Sequence, residues 1–439
     1  MSGLAKLLIS RGFKVSGSDN NVSELTKELE NEGALIFYGQ RAENITENID
    51  LVVFTAAIKE DNPEYAAAVK AGKSLMTRAE LLGQIMANYD TAINIAGTHG
   101  KTTTSSMVSE ILVNAGIDPT ISLGGILDSI GGNMRIGNSP VFVTEACEYT
   151  NSFLSFNPTI DVILNVEEDH LDFFKDINDI RNSFRLFVEK LPDNGTLIIG
   201  SSIDDISYFY QNKKCNVITF GIDDNSTFSA KDLKCDERGN YSYTLVVKGE
   251  EAGKISLCIP GTHNVLNSLA AIAVAYTQGV DPDIIKNTLM NFHGSHRRFE
   301  IKGSFDGVTV IDDYAHHPSE ITATLTGAAN FPHQTLWCVF QPHTYTRTKA
   351  FLPEFANALS LADKVVLAPI YAARETDTLG ISSKNIADLI TSAGKTAYYF
   401  DTFEEIEKFL QKNCTNGDVL ITMGAGNVVE IGENLVKNK

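Results

Sequence analysis

The sequence of 439 residues is short of basic charge, of closely spaced cysteines and of long apolar runs. Its 36 lysines and arginines stand against 55 aspartates and glutamates, and this net charge of −19 disfavours binding to nucleic acid or to an anionic membrane surface. No apolar run approaches the roughly 18 residues of a membrane-spanning helix. The six cysteines show no C-x-x-C spacing, which favours a reducing compartment over a disulfide or zinc framework. We expect a cytoplasmic protein with no nucleic-acid or membrane partner.

Helix and strand patterns alternate along most of the chain, which predicts an α/β fold. At about 150 residues per domain the length allows two to four domains, and the patterns favour three. They are an N-terminal Rossmann-like domain (1–88), a central P-loop ATPase-like parallel sheet with a small β-hairpin region (89–294) and a C-terminal Rossmann-like domain (295–439). A nucleotide-binding α/β domain normally opens with a strand and a glycine-rich turn, whereas this chain opens with a helical pattern. We therefore expect the N-terminal domain to be incomplete at its start.

The strongest local motif lies between an apolar strand pattern and a helix with one apolar face. Strand, glycine turn and helix form a phosphate-binding loop, in which backbone N–H groups and the helix N-terminus hold phosphate oxygens. A lysine here offsets charge on the transferring phosphoryl group, and the next hydroxyl can bind Mg²⁺. Ile95 occupies the place of the first glycine in the usual G-x-x-x-x-G-K-[ST] pattern. The residues of the predicted nucleotide loop are Gly97, Thr98, His99, Gly100, Lys101, Thr102 and Thr103.

Acidic residues and a histidine follow two other predicted strands of the central domain. Magnesium requires further oxygen ligands, and a carboxylate at the end of a neighbouring parallel strand would lie at the same sheet edge as the loop. Glu145 has this position. Glu167 and His170 share the E-x-x-H spacing of di-metal helices, but no second copy completes such a site. We expect Glu168 and Asp169 to form a solvated acidic turn, and His170 to be a candidate functional residue.

Further polar groups follow strands in the second half of the chain. Each could be a helix cap or a surface loop, and an N-cap role for Asn264 is nearly as favoured as a role near a base. Their joint position at the carboxyl ends of strands favours a site. His316, His317 and His343 could bind zinc by residue type, but the adjacent phosphate chemistry favours a role in binding a substrate carboxylate. The groups are 261–267, 295–300, 312–318 and 341–348.

Together these motifs resemble those of the Mur ligases over nearly the whole chain. The matching segments are Gly-Thr-His-Gly-Lys-Thr-Thr-Thr at 97–104, Glu-Ala-Cys-Glu-Tyr-Thr-Asn-Ser-Phe-Leu at 145–154, 165–172, 261–267, Arg-Arg-Phe at 297–299, 312–318, 343–348, 371–375 and Thr-Met-Gly-Ala-Gly at 422–426. The shorter loop of the family accounts for the missing first glycine. The resemblance implies a UDP-sugar domain, a central ATPase domain and a C-terminal domain for the incoming amino acid.

The resemblance also implies a reaction, in which ATP and Mg²⁺ are the cofactors and UDP-N-acetylmuramate and L-alanine the substrates. The γ-phosphoryl group of ATP would pass to the lactyl carboxylate of the sugar nucleotide, and the amine of L-alanine would attack the acyl phosphate. Phosphorylation is chemically required because a carboxylate oxygen is a poor leaving group, and a lysine with magnesium would stabilise the charge that develops. We expect a monomer or homodimer acting in cytoplasmic peptidoglycan precursor synthesis.

Roles for individual residues follow from the same resemblance. The implied catalytic residues are Lys101, Glu145, His170 and Arg347, and the implied magnesium ligands are Thr102, Glu145 and His170. Besides the loop, the implied ATP site contains His263, Asn264, Asn267, Arg298 and Asp313. The implied substrate-binding residues are Asp19, Glu148, Ser152, Tyr314, His316, His343 and Arg347. Arg347 is expected to bind the alanine carboxylate, because a guanidinium fork suits a carboxylate and Thr344 stands where many relatives have a second arginine.

Two alternatives remain at the level of sequence. A recycling ligase that joins a whole tripeptide to the same sugar nucleotide shares most of these motifs. The residues at 151–154 and 313–314 favour the ligase that uses L-alanine. An inactive nucleotide-binding scaffold is the alternative from another class. It follows from the expected incomplete start, because a UDP pyrophosphate would then lack its glycine cradle.

Overall fold

A computed structural model of the chain describes residues 1–55, 58–171, 173–222, 225–373 and 375–437. Positions 172 and 374, which belong to two of the family-like motifs, lie outside the described residues. The predicted α/β fold is confirmed, with separate sheet systems in each third of the chain. Across the part of the chain that is described, no helix is both long and apolar enough to cross a membrane.

The N-terminal third contains two separate pairs of parallel strands, β1 with β2 and β3 with β4. The strands are β1 (Ser16–Asp19), β2 (Leu35–Tyr38), β3 (Leu51–Phe54) and β4 (Ser74–Thr77). The helices are α1 (Ser2–Ser10), α2 (Glu24–Asn31), α3 (Pro63–Lys70) and α4 (Arg78–Met86). Side-chain caps set where three of them begin: Ser23 caps α2, Asn62 caps α3 and Thr77 caps α4.

The central third forms one ten-stranded sheet in the order β14-β13-β12-β11-β10-β9-β5-β8-β6-β7. Its strands are β5 (Thr91–Ala96), β6 (Thr120–Leu127), β7 (Gly132–Arg135), β8 (Val141–Glu145), β9 (Ile160–Ile163), β10 (Thr196–Gly200), β11 (Asn216–Gly221), β12 (Phe228–Cys235), β13 (Asn240–Val247) and β14 (Glu250–Pro260). The strands from β12 to β6 pair in parallel, whereas β7, β13 and β14 are antiparallel to their neighbours. The predicted hairpin is β13–β14, and it continues the central sheet through β12.

Helices cover both faces of this sheet, and they are α5 (Lys101–Asn114), α6 (Ile177–Val188), α7 (Ser207–Tyr210), α8 (Thr262–Thr277) and α9 (Pro282–Met290). Side chains alternate between faces along a strand, so Ile93 and Ile95 of β5 enter the core beneath α5 and α8. Ala92 and Ala96 enter the opposite core, which also contains Leu4 of α1. The N-terminal unit therefore packs directly on the central sheet.

The C-terminal third forms a six-stranded sheet in the order β15-β16-β20-β17-β18-β19, in which only β15 is antiparallel. Its strands are β15 (Glu300–Phe305), β16 (Val308–Asp313), β17 (Leu336–Phe340), β18 (Lys364–Leu367), β19 (Thr396–Tyr399) and β20 (Val419–Met423). Its helices are α10 (Pro318–Ala329), α11 (Tyr345–Ala350), α12 (Leu352–Leu359), α13 (Ser383–Ser392), α14 (Phe403–Asn413) and α15 (Val429–Lys437). The carboxyl ends of β16 and β17 carry two of the polar groups singled out in the sequence.

Candidate active site

The loop between β5 and α5 is packed so closely that two of its positions require glycine. Gly97 has φ of 143°, and a Cβ there would lie 2.9 Å from the Cβ atom of Leu164. Gly100 has φ of 81°, and a Cβ there would lie 2.5 Å from Oδ1 of Asn267. Both backbone conformations disfavour any side chain. The loop therefore follows a tight path between the end of β9 and the start of α8.

Asn165, two residues beyond the end of β9, holds the backbone of this loop. Its Oδ1 accepts a hydrogen bond from the amide of His99 at 2.8 Å, and its Nδ2 donates to the carbonyl of His99 at 3.2 Å. Nearby, the hydroxyl of Thr98 accepts a bond from the amide of Glu167 at 2.9 Å. The loop is thus preorganised, which favours binding of phosphate by its backbone N–H groups.

Lys101 is the first residue of α5, and its ammonium group lies inside the loop. It donates to the carbonyls of Gly97 and Thr98, the latter at 3.0 Å, and to Oε2 of Glu148 at 3.0 Å. Burial lowers the pKa of Lys101, but the adjacent Glu148 carboxylate more than offsets this, and the pKa lies above its ordinary value. Lys101 is therefore a fixed positive charge beside the loop. Glu148, predicted to bind substrate, is 2% exposed and contacts this lysine.

Glu145 ends β8 beside the first turn of α5. Its Oε2 accepts a hydrogen bond from the hydroxyl of Thr102 at 3.0 Å, and its Oε1 accepts bonds from Ser105 at 3.2 Å and from the amide of Gly124 at 2.6 Å. Carboxylate and hydroxyl oxygens suit Mg²⁺, which usually keeps several waters and substrate phosphate oxygens and so needs few protein ligands.

The ring of His170 lies against Tyr149, with ring centroids 4.6 Å apart. Over the described ranges, no three His, Cys, Asp or Glu side chains converge on one point that could hold a metal.

The acidic turn after β9 is only half solvated, which corrects one prediction. Glu168 is exposed as expected, but Asp169 is 6% exposed. Asp169 Oδ1 accepts a hydrogen bond from Nη2 of Arg347 at 2.8 Å and another from the amide of His170 at 2.7 Å. The expectation of a solvated Asp169 was wrong because sequence proximity to Glu168 does not reveal a cation from the C-terminal domain.

A cavity of about 300 Å³ opens between the central and C-terminal domains. Its lining contains the residues predicted for the ATP site besides the loop, namely His263, Asn264, Asn267, Arg298 and Asp313, together with His99 and Gly100 of the loop. Gly261 and not Asn264 is the N-cap of α8, so the capping alternative for Asn264 is wrong.

Burial raises the pKa of Asp313 to about 6, although amides of Phe299 and Ala315 donate to its oxygens.

The side chains predicted around the amino-acid substrate also lie together. Ring centroids of Tyr314 and His316 are 5.5 Å apart, and those of His316 and His343 are 5.9 Å apart. Nη1 of Arg347 lies 3.5 Å from Nδ1 of His343. Burial lowers the pKa of His316 to about 4, so its imidazole is neutral near pH 7. His317 packs instead with its ring centroid 4.9 Å from that of Phe351.

Besides Glu148, which pairs with Lys101, two predicted substrate residues lie outside this cluster. Asp19 is exposed at the end of β1, where its Oδ1 accepts a bond from the amide of Asn21 at 3.0 Å. The hydroxyl of Ser152 donates to the carbonyl of Tyr149 at 2.8 Å. The structure therefore gives both residues local contacts, and their substrate roles stay predictions.

Comparison with known proteins fits this geometry. Residues 1–90 match the model described as "Mur ligase family, catalytic domain", 95–275 the "Mur ligase middle domain" and 297–426 the "Mur ligase, glutamate ligase domain". The UDP-N-acetylmuramate–L-alanine ligase of Lachnospira eligens is 64% identical over 438 residues, which cover 100% of this chain and 95% of that protein. The chain belongs to the Mur ligase family. The resemblance inferred from the motifs is confirmed.

Other Mur ligases are similar over the same length. The UDP-N-acetylmuramate–L-alanine ligase of Agathobacter rectalis is 57% identical over 437 residues, covering 100% of this chain and 95% of the relative. The crystal structure of UDP-N-acetylmuramate-alanine ligase from Thermotoga maritima superposes with a TM-score of 0.84 at 30% identity, covering 100% and 96% of the two chains. A murein peptide ligase from Psychrobacter arcticus gives a TM-score of 0.74 at 25% identity with the same coverage.

Three residues of this Mur ligase site were missed by the residue-level predictions. Asn165 and Asp169 lie inside a segment that carries the family resemblance, and the position of Asn165 directly after an apolar strand was a usable signal. Glu320 follows the histidine pair 316–317 by three residues and completes the capping box of α10. Its contact with His99 of the central domain, at 3.2 Å, has no sequence signal because 221 residues separate the two.

Proposed function

We propose that the chain joins L-alanine to UDP-N-acetylmuramate, with hydrolysis of ATP to ADP and phosphate, through an acyl-phosphate intermediate. The observation that carries this proposal is that the loop and the C-terminal polar cluster meet at one boundary. Lys101 contacts Glu148 at 3.0 Å, and Arg347 contacts Asp169 at 2.8 Å beside His170. A phosphoryl-transfer site and a carboxylate-binding arginine in one region are what an acid–amine ligase requires.

In the first step, a carboxylate oxygen of the sugar nucleotide attacks the γ-phosphorus of ATP. The bond between this phosphorus and the β–γ bridging oxygen breaks, and ADP leaves. Negative charge spreads over the transferring oxygens, and Lys101 stabilises it because its ammonium group is already fixed inside the loop. The Gly97–Gly100 backbone would hold the phosphates, and the cavity lined by Asn267 and Asp313 would hold the rest of the nucleotide.

In the second step, the amine nitrogen of L-alanine attacks the acyl carbon. The bond from this carbon to the phosphate oxygen breaks, phosphate leaves, and the nitrogen loses a proton. Arg347 would bind the alanine carboxylate, since Asp169 holds its guanidinium group in one orientation. His316, which is neutral near pH 7, lies beside His343, so Arg347 supplies the positive charge that binds the carboxylate.

We further propose that Thr102 and Glu145 hold Mg²⁺, with His170 nearby as a second-site ligand. When bound, the ion would neutralise phosphate charge. The oxygen donors of Thr102 and Glu145, 3.0 Å apart, support this assignment. From the family resemblance we also propose that residues 1–88 bind the UDP-sugar, that 89–294 bind ATP and that 295–439 bind the amino acid. The net charge of −19 and the free cysteines support a cytoplasmic enzyme without a nucleic-acid partner.

The experiment is a phosphate-release assay with purified protein, ATP, Mg²⁺ and UDP-N-acetylmuramate. Addition of L-alanine should release phosphate and form the ligated product by mass spectrometry. Release only with the tripeptide L-alanyl-γ-D-glutamyl-meso-diaminopimelate would reject the choice of amine. ATP binding without turnover in either arm would identify an inactive scaffold.

The Lys101→Ala variant tests the proposed phosphoryl-transfer step. Loss of the fixed charge should lower kcat by about a thousandfold, because a preorganised charge at a transferring phosphoryl group contributes on the order of 4 kcal/mol. Lys384→Ala changes an exposed lysine of α13 and is the matched control. Equal kcat in the Lys101 variant and the parent would contradict the assigned phosphoryl-transfer site.

A further inference from the structure

The side chain of His99 contacts the C-terminal domain, although its backbone belongs to the nucleotide loop. Its Nδ1 lies 3.2 Å from Oε1 of Glu320, and its Nε2 lies 2.8 Å from the hydroxyl of Ser319. Both partners lie in the first turn of α10. On the central-domain side, Oε2 of Glu167 lies 3.4 Å from Nε2. One imidazole thus touches carboxylates of two domains.

The charge of His99 determines the direction of each hydrogen bond. Burial lowers its pKa, but Glu167 and Glu320 more than offset this and raise the pKa to about 9. The imidazolium therefore donates from Nδ1 to Glu320 and from Nε2 to the Ser319 oxygen. The Ser319 hydroxyl then donates to Nδ1 of His317 at 2.8 Å. A directed chain of hydrogen bonds crosses the domain boundary.

Glu320 connects this chain to the start of α10. Its Oε2 accepts hydrogen bonds from the amides of His316 at 3.0 Å and His317 at 3.3 Å, while its Oε1 faces His99. The carboxylate therefore caps the helix with one oxygen and binds the loop with the other. The position of α10 is consequently tied to the position of the loop.

The backbone of His99 does not need these contacts, because Asn165 already holds it on both sides. The contacts of the His99 side chain therefore have a role other than holding the conformation of the loop. His99, Ser319 and Glu320 all line the cavity of about 300 Å³ between the two domains. Separation of these three residues would open one wall of the nucleotide site.

We propose that His99 is a positioning residue that holds the C-terminal domain closed over the nucleotide loop through Ser319 and Glu320. This inference rests on the proposed function only in identifying the cavity as the ATP site. The clasp, defined as His99, Ser319 and Glu320, would couple nucleotide binding to closure of the domain that carries the amino-acid site.

The test compares His99→Gln, Glu320→Gln and the double variant with the parent. Glutamine keeps hydrogen-bonding atoms but removes the charge, so gross misfolding is not expected. His293→Gln is the control, because His293 is exposed and lies outside the clasp. Amide hydrogen exchange of the full chain without substrates reports the docking of α10, and steady-state kinetics with ATP reports its consequence.

Each single variant should exchange amides in residues 316–322 at least tenfold faster than the parent, and should raise KM for ATP at least tenfold with a smaller effect on KM for UDP-N-acetylmuramate. The double variant should add little to either single one, because the two residues form one contact. Parent-like exchange and an unchanged KM for ATP in both single variants would overturn the proposal, as would additive effects. If the parent released no phosphate, the proposed function would fail while the exchange measurement still decided the clasp.

A pH profile separates positioning by the cation from a purely steric role. The charged and titratable groups that face His99 are Glu167, Glu320, His317 and His263. In the parent, kcat/KM for ATP should fall above about pH 9, where the imidazolium loses its proton. The His99→Gln variant should lack this decline. The same decline in both proteins would contradict the assignment of the cation.

Discussion

Asp169 and Arg347 form an ion pair of 2.8 Å across the boundary between the central and C-terminal domains, and their side chains are only 8% and 11% exposed. Burial raises the pKa of Asp169, but Arg347 more than offsets this and holds that pKa well below its ordinary value. The same carboxylate accepts a bond from the amide of His170. A single aspartate therefore links the predicted metal ligand to the predicted alanine-binding arginine.

Asp169→Asn should raise KM for L-alanine about 10- to 100-fold and leave KM for ATP within about threefold. A charge-assisted hydrogen bond contributes roughly 1.5–3 kcal/mol, and its loss lets the Arg347 guanidinium leave the orientation that a substrate carboxylate needs. Steady-state kinetics with each substrate varied in turn measures the effect. Glu168→Gln is the control because its side chain is exposed. Equal effects on ATP and L-alanine would contradict a role directed at the amine substrate.

Asn165→Ala should weaken ATP binding through the loop backbone. The substitution leaves the amide and carbonyl of His99 without their partners at 2.8 and 3.2 Å, at a cost of about 1–3 kcal/mol. We expect KM for ATP to rise at least tenfold and the midpoint of thermal unfolding to fall by several degrees. Steady-state kinetics with ATP varied and a thermal melt measure the two quantities. Asn178→Ala, at an exposed site on α6, should change neither quantity.

Gly100→Ala should impair nucleotide binding more than its backbone strain alone explains. A Cβ at this position meets Oδ1 of Asn267 at 2.5 Å, so the side chain of Asn267, which lines the nucleotide cavity and donates to Asn264, must shift. Gly116→Ala is a matched control, because its φ of 74° resembles the 81° of Gly100 but no atom lies within 4 Å of the added Cβ. Both variants should lose about 1 kcal/mol of unfolding free energy. Only Gly100→Ala should raise KM for ATP, by tenfold or more, and a similar rise in both would show that strain is sufficient.

Asp161→Asn should change how stability depends on pH. Asp161 is fully buried beside Asn94, whose Nδ2 donates to it at 3.2 Å, and burial raises its pKa well above the ordinary value. The folded state then binds a proton more tightly than the unfolded state does. The stability of the parent therefore falls as the pH rises from about 4 through the raised pKa.

The Asp161→Asn variant lacks this ionisation. Its melting temperature should therefore rise relative to that of the parent between pH 5 and pH 8. Thermal unfolding at several pH values measures the trend. Asp193→Asn, at an exposed position, should parallel the parent at every pH. A difference between Asp161→Asn and parent that stays constant with pH would contradict the raised pKa.

The alternation of helix and strand patterns predicted the α/β class of this fold, because the periodicity of apolar residues reflects their burial. In β5, which forms the apolar strand predicted before the loop, Ile93 and Ile95 enter one core and Ala92 and Ala96 the other. The joining of the β13–β14 hairpin to the central sheet through β12 was not predictable, since pairing between strands depends on partners elsewhere in the chain.

The amino-acid sequence by itself determined the family, the α/β class and the residue types of the loop, because glycine, lysine and threonine in that order have few other uses between a strand and a helix. Only the tertiary structure decided which charges meet. Asp169 lies beside a solvated glutamate in sequence yet faces Arg347, and His99 of the central-domain loop faces Glu320 of the C-terminal domain. These contacts join residues 178 and 221 positions apart. Such distant pairs depend on how two domains pack, and packing has no periodic signature along the chain.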